Sequence, residues 1–205
     1  MKTPKTRQKI LNAAQRLIEK DGSTRLTTKQ IAREAECAEG TLFNHFKSKE
    51  DLRLAVVLEN APRFREKLAQ PKAGQRTVVR NLEDIAMASM SFFEKLIPLA
   101  TSLFADIDLL KRHRKVMAEE ERGPQDVFAL VGTYISGEQK LNRIGRHVVP
   151  ASAAALLLGP CFHRVFIRHA MGKTLPGPSD REFVAALVAT LIVGLGPRPE
   201  LGKKR

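Results

Sequence analysis

The chain has no tryptophan, one tyrosine and two cysteines in 205 residues. Cys37 and Cys161 are far apart and form no CxxC, so no disulfide framework is implied. Acidic residues are scarce against basic ones: 22 Asp and Glu face 35 Lys and Arg, a formal net charge of +13. That excess favours a polyanionic partner, with solubility alone as the bland alternative. No uninterrupted apolar run reaches membrane-spanning length. The basic start, MKTPKTRQK, leads into an amphipathic helix and is not read as a signal peptide. A cytoplasmic protein with no membrane partner is therefore expected. Alternating strand patterns are missing too, which leaves an all-α fold of about nine helices.

Catalytic spacings are equally lacking. His45, His113, His147, His163 and His169 form no HExxH or other metal-ligand pattern, and His163 and His169 face different sides of one helix. There is no GxSxG and no phosphate-cradling glycine loop. Asp106 and Asp108, two apart, diverge on a helix and make no acid/base pair. The expectation is a protein that is not an enzyme and takes no metal and no cofactor.

What the chain does have is concentrated in LTTKQIAREAECAEGTLFNHFKSKEDL, Leu26 to Leu52. Thr27 or Thr28 caps one short helix, in which Ile31, Ala32 and Ala35 recur at helical spacing. After a break at Glu36-Cys37-Ala38, a second helix runs from about Glu39 to Phe46. Leu42 and Phe46 share a face, while Gly40, Thr41 and Asn44 point the other way, with Phe43 and His45 on the flanks. So short a helix cannot bury itself and must display a face. A helix–turn–helix fits, with residues 39–46 entering the major groove of DNA.

The rest of the chain is built around that motif. Residues 1–9 read as a basic arm carrying Lys2, Lys5, Arg7 and Lys9, either lying along DNA or simply solvated. A first helix, about Lys5 to Lys20, has an apolar stripe of Ile10, Leu11, Ala14, Leu17 and Ile18 and ends at Asp21-Gly22. Ser48 caps a fourth helix, which Pro62 is expected to kink or stop. After a loop over 70–75, helices are predicted from about Thr77 to Leu96 and, reset by Pro98, through Leu99 to Leu110. Lys111 to Lys115 beside Glu119-Glu120-Glu121 reads as a solvated charged face rather than a second DNA site. Pro124 opens a further helix. Two more, Pro150 to about Met171 and Ser179 to Leu195, close the chain. The last is apolar nearly all round and should be covered on more than one side, by a second copy or by the monomer's own core. The tail from Pro197 reads as disordered. Cys161 reads as a small core side chain, and Cys37 as turn packing rather than a redox sensor.

With its Thr-Thr start, I-A-x-x-A, G-T-L-[FY]-x-H-F and S-K-E-x-L, the stretch resembles the DNA-binding signature of TetR-family transcriptional regulators, over residues 7–58. The resemblance implies an N-terminal helix–turn–helix domain (1–47), a connecting helix 4 (48–70) and a larger helical effector-binding and dimerisation domain (71–205). It implies that Thr28 and Lys29 touch phosphates or an adjoining base. Glu39, Gly40, Thr41, Phe43, Asn44 and His45 take the recognition positions, and Lys49 belongs to a phosphate clamp at a helix N-terminus. Three residues depart from the pattern. Glu36 replaces a turn glycine and is expected in the left-handed conformation at a cost of about 1 kcal/mol. Ala38 replaces a serine and loses a cap. Glu39 places a carboxylate where neutral or basic groups are usual, to serve either the helix dipole or a cytosine amino group.

The function so implied is a homodimeric, ligand-responsive repressor that binds a palindromic double-stranded DNA operator and is released by a small apolar or amphipathic effector. Phe92, Phe93, Leu96, Leu103, Phe104, Phe128 and Tyr134 are the candidate effector contacts, core packing being their ordinary alternative. Two other classes remain: a sequence-tolerant architectural DNA-binding protein without effector, and a helical enzyme or sequestering protein with a vestigial helix–turn–helix.

Overall fold

The computed structural model describes residues 4–21, 27–105, 107–119, 124–172 and 177–195, and among them every regular element is helical. The helices are α1 (Pro4–Asp21), α2 (Thr28–Glu34), α3 (Glu39–His45), α4 (Lys49–Ala69), α5 (Val78–Ala105), α6 (Ile107–Glu119), α7 (Pro124–Lys140), α8 (Pro150–Met171) and α9 (Asp180–Leu195). The all-α expectation holds.

Two compact units share these helices. One comprises residues 1–62 and 94–119, the other 63–93 and 120–205. Both α4 and α5 therefore start in one unit and finish in the other.

In the first unit, the stripe of α1 does what its spacing dictates. Ile10, Leu11, Ala13 and Ala14 are buried against Ile31, Ala35, Leu42, Phe46, Leu52 and Val56, with Leu17 and Cys37 partly buried at the edge. Full burial of an aliphatic or aromatic side chain stabilises by about 1.5–3 kcal/mol, so this cluster is what holds the short α2 and α3 in place. The N-terminal arm is shorter than expected. Lys5, Arg7 and Lys9 belong to α1, and the Arg7 guanidinium lies 5.3 Å from the centre of the Phe46 ring. An Arg over an aromatic face is attracted by the ring quadrupole, so the side chain has an apolar partner after all. Residues 1–3 and Gly22 lie outside the described residues.

Neither a stop at position 62 nor the reset expected at position 98 occurs. The helix α4 runs on through position 62 to Ala69, and α5 runs on through position 98 to Ala105. A proline inside a helix forfeits one hydrogen bond and crowds the preceding turn, at about 3 kcal/mol. A long helix with bonds on either side of the gap absorbs that loss. The basic run Lys111 to Lys115 belongs to α6.

The second unit has its own core, which includes Leu82, Ile85, Ala86, Val131, Ile135, Leu157, Leu158 and Val188. One close approach fixes its loop. A Cβ added to Gly137 would lie 2.7 Å from the Ala73 side chain, so the 70–77 connection presses directly on α7. By length and composition α8 is apolar enough to cross a membrane. Yet it buries Ala154, Leu157, Leu158, Cys161 and Val165, and its Arg164 and Arg168 both pair with Asp180 at the start of α9. Those contacts make it a core helix of this unit. Ser179 and Glu182 then form the expected capping box: the Ser179 N–H donates to the Glu182 carboxylate at 2.7 Å, and the Glu182 N–H to the Ser179 hydroxyl at 3.3 Å.

Candidate DNA-binding site

The site is built from the ends of α2 and α3. Thr27, extended at φ −98°, caps α2; its hydroxyl accepts from the Gln30 N–H at 3.1 Å while the Gln30 side chain accepts from the Thr27 N–H at 2.8 Å. With Thr27 committed, Thr28 is left free to use its hydroxyl elsewhere. The turn then bends at Glu36, which adopts φ 53° as expected. Ala38 stands at the N-cap of α3 and supplies no side-chain bond. The turn residue Cys37 has its thiol pushed up by burial, against a smaller lowering by Lys9, and so stays protonated at neutral pH. The buried Cys161 donates its S–H to the Leu157 carbonyl at 3.2 Å and has its thiol pushed up to about 12, chiefly by burial.

The recognition face is orientated as its spacing requires. Leu42 has no exposed surface and Phe46 is 2% exposed, so α3 is fastened by these two side chains. Glu39, Gly40, Phe43 and Asn44 are exposed on the opposite side, with Thr41 and His45 half-buried at the margins. Beyond its two chain neighbours and the backbone of α3 itself, no atom would come within 4 Å of a Cβ built at Gly40, so no other element covers the surface there. At the start of α2, Lys29 is exposed. Ser48 accepts from the Asp51 N–H at 3.0 Å, and the Asp51 carboxylate accepts from the Lys47 N–H at 3.0 Å, which closes the start of α4 beside the half-buried Lys49.

One contact was not legible in the pattern. The Thr28 hydroxyl donates to Oε1 of Glu39 at 2.5 Å, tying the first residue of α2 to the first residue of α3. Neither the helix dipole nor a base was needed to occupy that carboxylate. The only hint in the sequence is that a helix–turn–helix brings the starts of its two helices together.

The candidate effector residues are distributed over both units. Leu96 and Phe104 belong to the first, where Phe104 is 70% exposed; the side chain of Leu103 lies outside the described residues. Phe92, Phe93, Phe128 and Tyr134 belong to the second. There, Phe92 stacks on Phe64 at 4.1 Å and Phe93 meets Phe162 edge-on at 5.4 Å, so a row of aromatics includes two side chains that sequence reasoning left out. Tyr134 is buried with both its bonds made: it donates to Glu138 at 2.8 Å and accepts from Asn81 at 3.0 Å. Burial is the main cause of the strongly raised pKa of its phenol. A half-open pocket of about 240 Å³ in this unit is lined by Lys67, Pro71, Lys72, Arg76, Asn81 and Asp84 among others, and contains none of the expected effector residues. Among the described residues no cluster of His, Cys, Asp or Glu has the arrangement of a metal site.

A three-helix unit that buries one face of a short helix and presents the other, beside a capped α2 and α4, defines a helix–turn–helix protein. Residues 10–56 match the sequence model of the bacterial regulatory proteins of the tetR family, which covers the α1–α3 motif and the start of α4. It is 27% identical to the uncharacterized HTH-type transcriptional regulator YvkB of Bacillus subtilis, over 66% of this chain and 63% of that protein. It is 30% identical to the HTH-type transcriptional regulator UidR of Escherichia coli, over 58% of this chain and 54% of that protein. The chain thus spans little more than half the length of these relatives. A TetR-family regulator structure from Mesorhizobium loti shares the fold, with a TM-score of 0.66 at 19% identity, over 94% of this chain and 97% of that one. Both of these relatives are named as HTH-type transcriptional regulators.

Proposed function

We propose that the protein is a cytoplasmic, one-component transcriptional regulator that binds a palindromic operator as a homodimer and is released by a small apolar or amphipathic effector. The observation that carries the reading is the display of α3: Leu42 and Phe46 hold it from below, while Glu39, Gly40, Phe43 and Asn44 face outward. Lys29, Thr41, His45 and Lys49 flank that face and complete the DNA contacts, Thr28 stands bonded to Glu39 beside them, and the net charge of +13 suits a phosphate backbone.

Pairing is supported by what α8 and α9 leave uncovered. Along α9, Ala185, Ala186, Ala189 and Val193 are exposed on one face, and along α8 Ala155, Leu156, Gly159, Phe162 and Phe166 are exposed likewise. Two copies of such a surface make a four-helix bundle. In functional terms, residues 1–47 read DNA, 48–70 connect, and 71–205 bind effector and partner. Phe92, Phe93, Leu96, Leu103, Phe104, Phe128 and Tyr134 are the effector contacts of this reading. Release then requires an effector that binds less tightly once DNA is bound, by the same factor by which it weakens DNA binding.

Selection of bound fragments from genomic DNA tests the reading. A palindromic motif bound at least a hundredfold more tightly than random duplex, at a stated salt concentration, is the expected result. Equal affinity for motif and random DNA would instead identify a sequence-tolerant architectural protein, and no DNA binding at all would overturn both.

A further inference from the structure

We propose that Thr28 is a positioning residue for Glu39, and that the pair reads one base pair through an exocyclic amino group in the major groove, cytosine first. The inference rests on the DNA-binding reading above and adds to it a specificity determinant.

Supply and demand in hydrogen bonding set the partners of both side chains. A hydroxyl has one hydrogen to give, and an ionised carboxylate only accepts. In this structure that hydrogen goes from Thr28 to Oε1 of Glu39, at the short distance usual for a hydroxyl on a carboxylate. Thr28 is therefore not the phosphate donor that its position suggests, because one hydrogen cannot serve both acceptors. Nor is its side chain taken up by capping, since Thr27 and Gln30 have closed the start of α2 between them.

Glu39 is correspondingly not a loose surface charge. A flexible carboxylate facing DNA is repelled by the phosphates and loses rotamer freedom on meeting a base. Here a β-branched side chain, itself stiff about χ1, holds one oxygen in place before DNA arrives. The carboxylate's remaining acceptor capacity is open, because Glu39 is exposed and no other element stands within 4 Å of the missing Cβ of Gly40 next to it.

What such an acceptor recognises follows from the groove. Only cytosine N4 and adenine N6 donate from base edges there. Adenine places its N7 acceptor beside the amino group, where it repels a carboxylate. Cytosine offers the amino group without that neighbour, so it is preferred. Guanine and thymine present acceptors to the same carboxylate and are rejected.

The test is selection from a randomised duplex library by the full-length protein, its variants T28V, T28S and E39Q, and the double variant T28V/E39Q. The unmodified protein should enrich cytosine at one symmetric pair of positions. T28V should weaken that preference roughly tenfold, within the range of a single base contact, and leave the other positions alone. T28S should restore it, and T28V should change nothing further once E39Q is present. Thermal melts of each variant separate loss of reading from loss of fold. Equal weakening on every sequence by T28V would mark Thr28 as a phosphate contact and overturn the proposal, as would an E39Q profile with all base preferences intact. Failure of the unmodified protein to enrich any sequence would overturn the regulator reading itself, a result distinct from both.

Discussion

The Nε of Arg143 lies 3.3 Å from the carboxylate of Glu138, a side chain with no exposed surface. The same carboxylate accepts from the Tyr134 hydroxyl and, at 3.4 Å, from the Gly74 N–H. Asn81 completes the group by donating to Tyr134 and to the Gln75 carbonyl. The cluster thus joins α5, α7 and both flanking loops through one buried acid.

Removing that acid strands its partners. Glu138→Ala should destabilise the second unit by about 3 kcal/mol, the low end for breaking a buried pair, because the Arg143 side chain retains some solvent. Glu138→Gln, which keeps an acceptor for Tyr134, should cost clearly less. Urea denaturation of the two variants checks both the size and the order.

Asp180 gives the fold a dependence on acid. Burial alone would raise its carboxyl, but hydrogen bonds from Arg164 and Arg168 and their charges outweigh this and hold it below the ordinary value of 3.8. A carboxyl depressed in the folded state contributes stability that is complete above its unfolded pKa and is lost as pH falls through the folded one. The α8–α9 contact should therefore weaken below about pH 4. Asp180→Asn should flatten that acid limb and lower stability at neutral pH, as followed by denaturation midpoints between pH 3 and 7.

The uncapped start of α3 is open to improvement. Ala38→Ser at an extended N-cap should stabilise the first unit by about 1 kcal/mol. For a chain of this size that corresponds to roughly 2–4 °C in Tm. A differential melt against the unmodified protein is sufficient to see it.

Association is tested on the outer face of α9. Ala189 is exposed in the single chain, so Ala189→Glu should leave the protomer folded while placing a charge inside a paired bundle. Sedimentation at micromolar concentration should find a dimer for the unmodified protein and a folded monomer for the variant. A monomer in both would remove the dimer from the proposed function.

The first unit was largely legible because its signals are local. Apolar residues at helical spacing placed Ile31, Leu42 and Phe46 inside, and the missing glycine at Glu36 predicted its positive φ. Helix ends in the rest were less legible, since proline marks a cost but not whether a long helix will bear it; positions 62 and 98 both lie within helices. Contacts that cross a turn escaped altogether. Thr28 and Glu39 stand eleven residues apart and Arg7 and Phe46 thirty-nine, and no periodicity links either pair. The effector contacts stay proposals for another reason: aromatics at helical spacing serve a core and a pocket equally, as the stacked Phe64 and Phe92 show.

The order in which the chain visits its two units limits how the protein can be recombined. The first unit takes up residues 1–62, gives way to 63–93, and resumes over 94–119, with both early crossings inside helices. A single splice cannot transplant it without part of its companion. A chimera joined after residue 47 keeps the α1–α3 motif but severs Leu52 and Val56 from the cluster they help to bury. One joined after residue 119 carries the unit intact, at the expense of importing 63–93 from its companion. Grafting the first unit onto another second unit therefore calls for three seams, two of them within α4 and α5 in helical register and the third after residue 119.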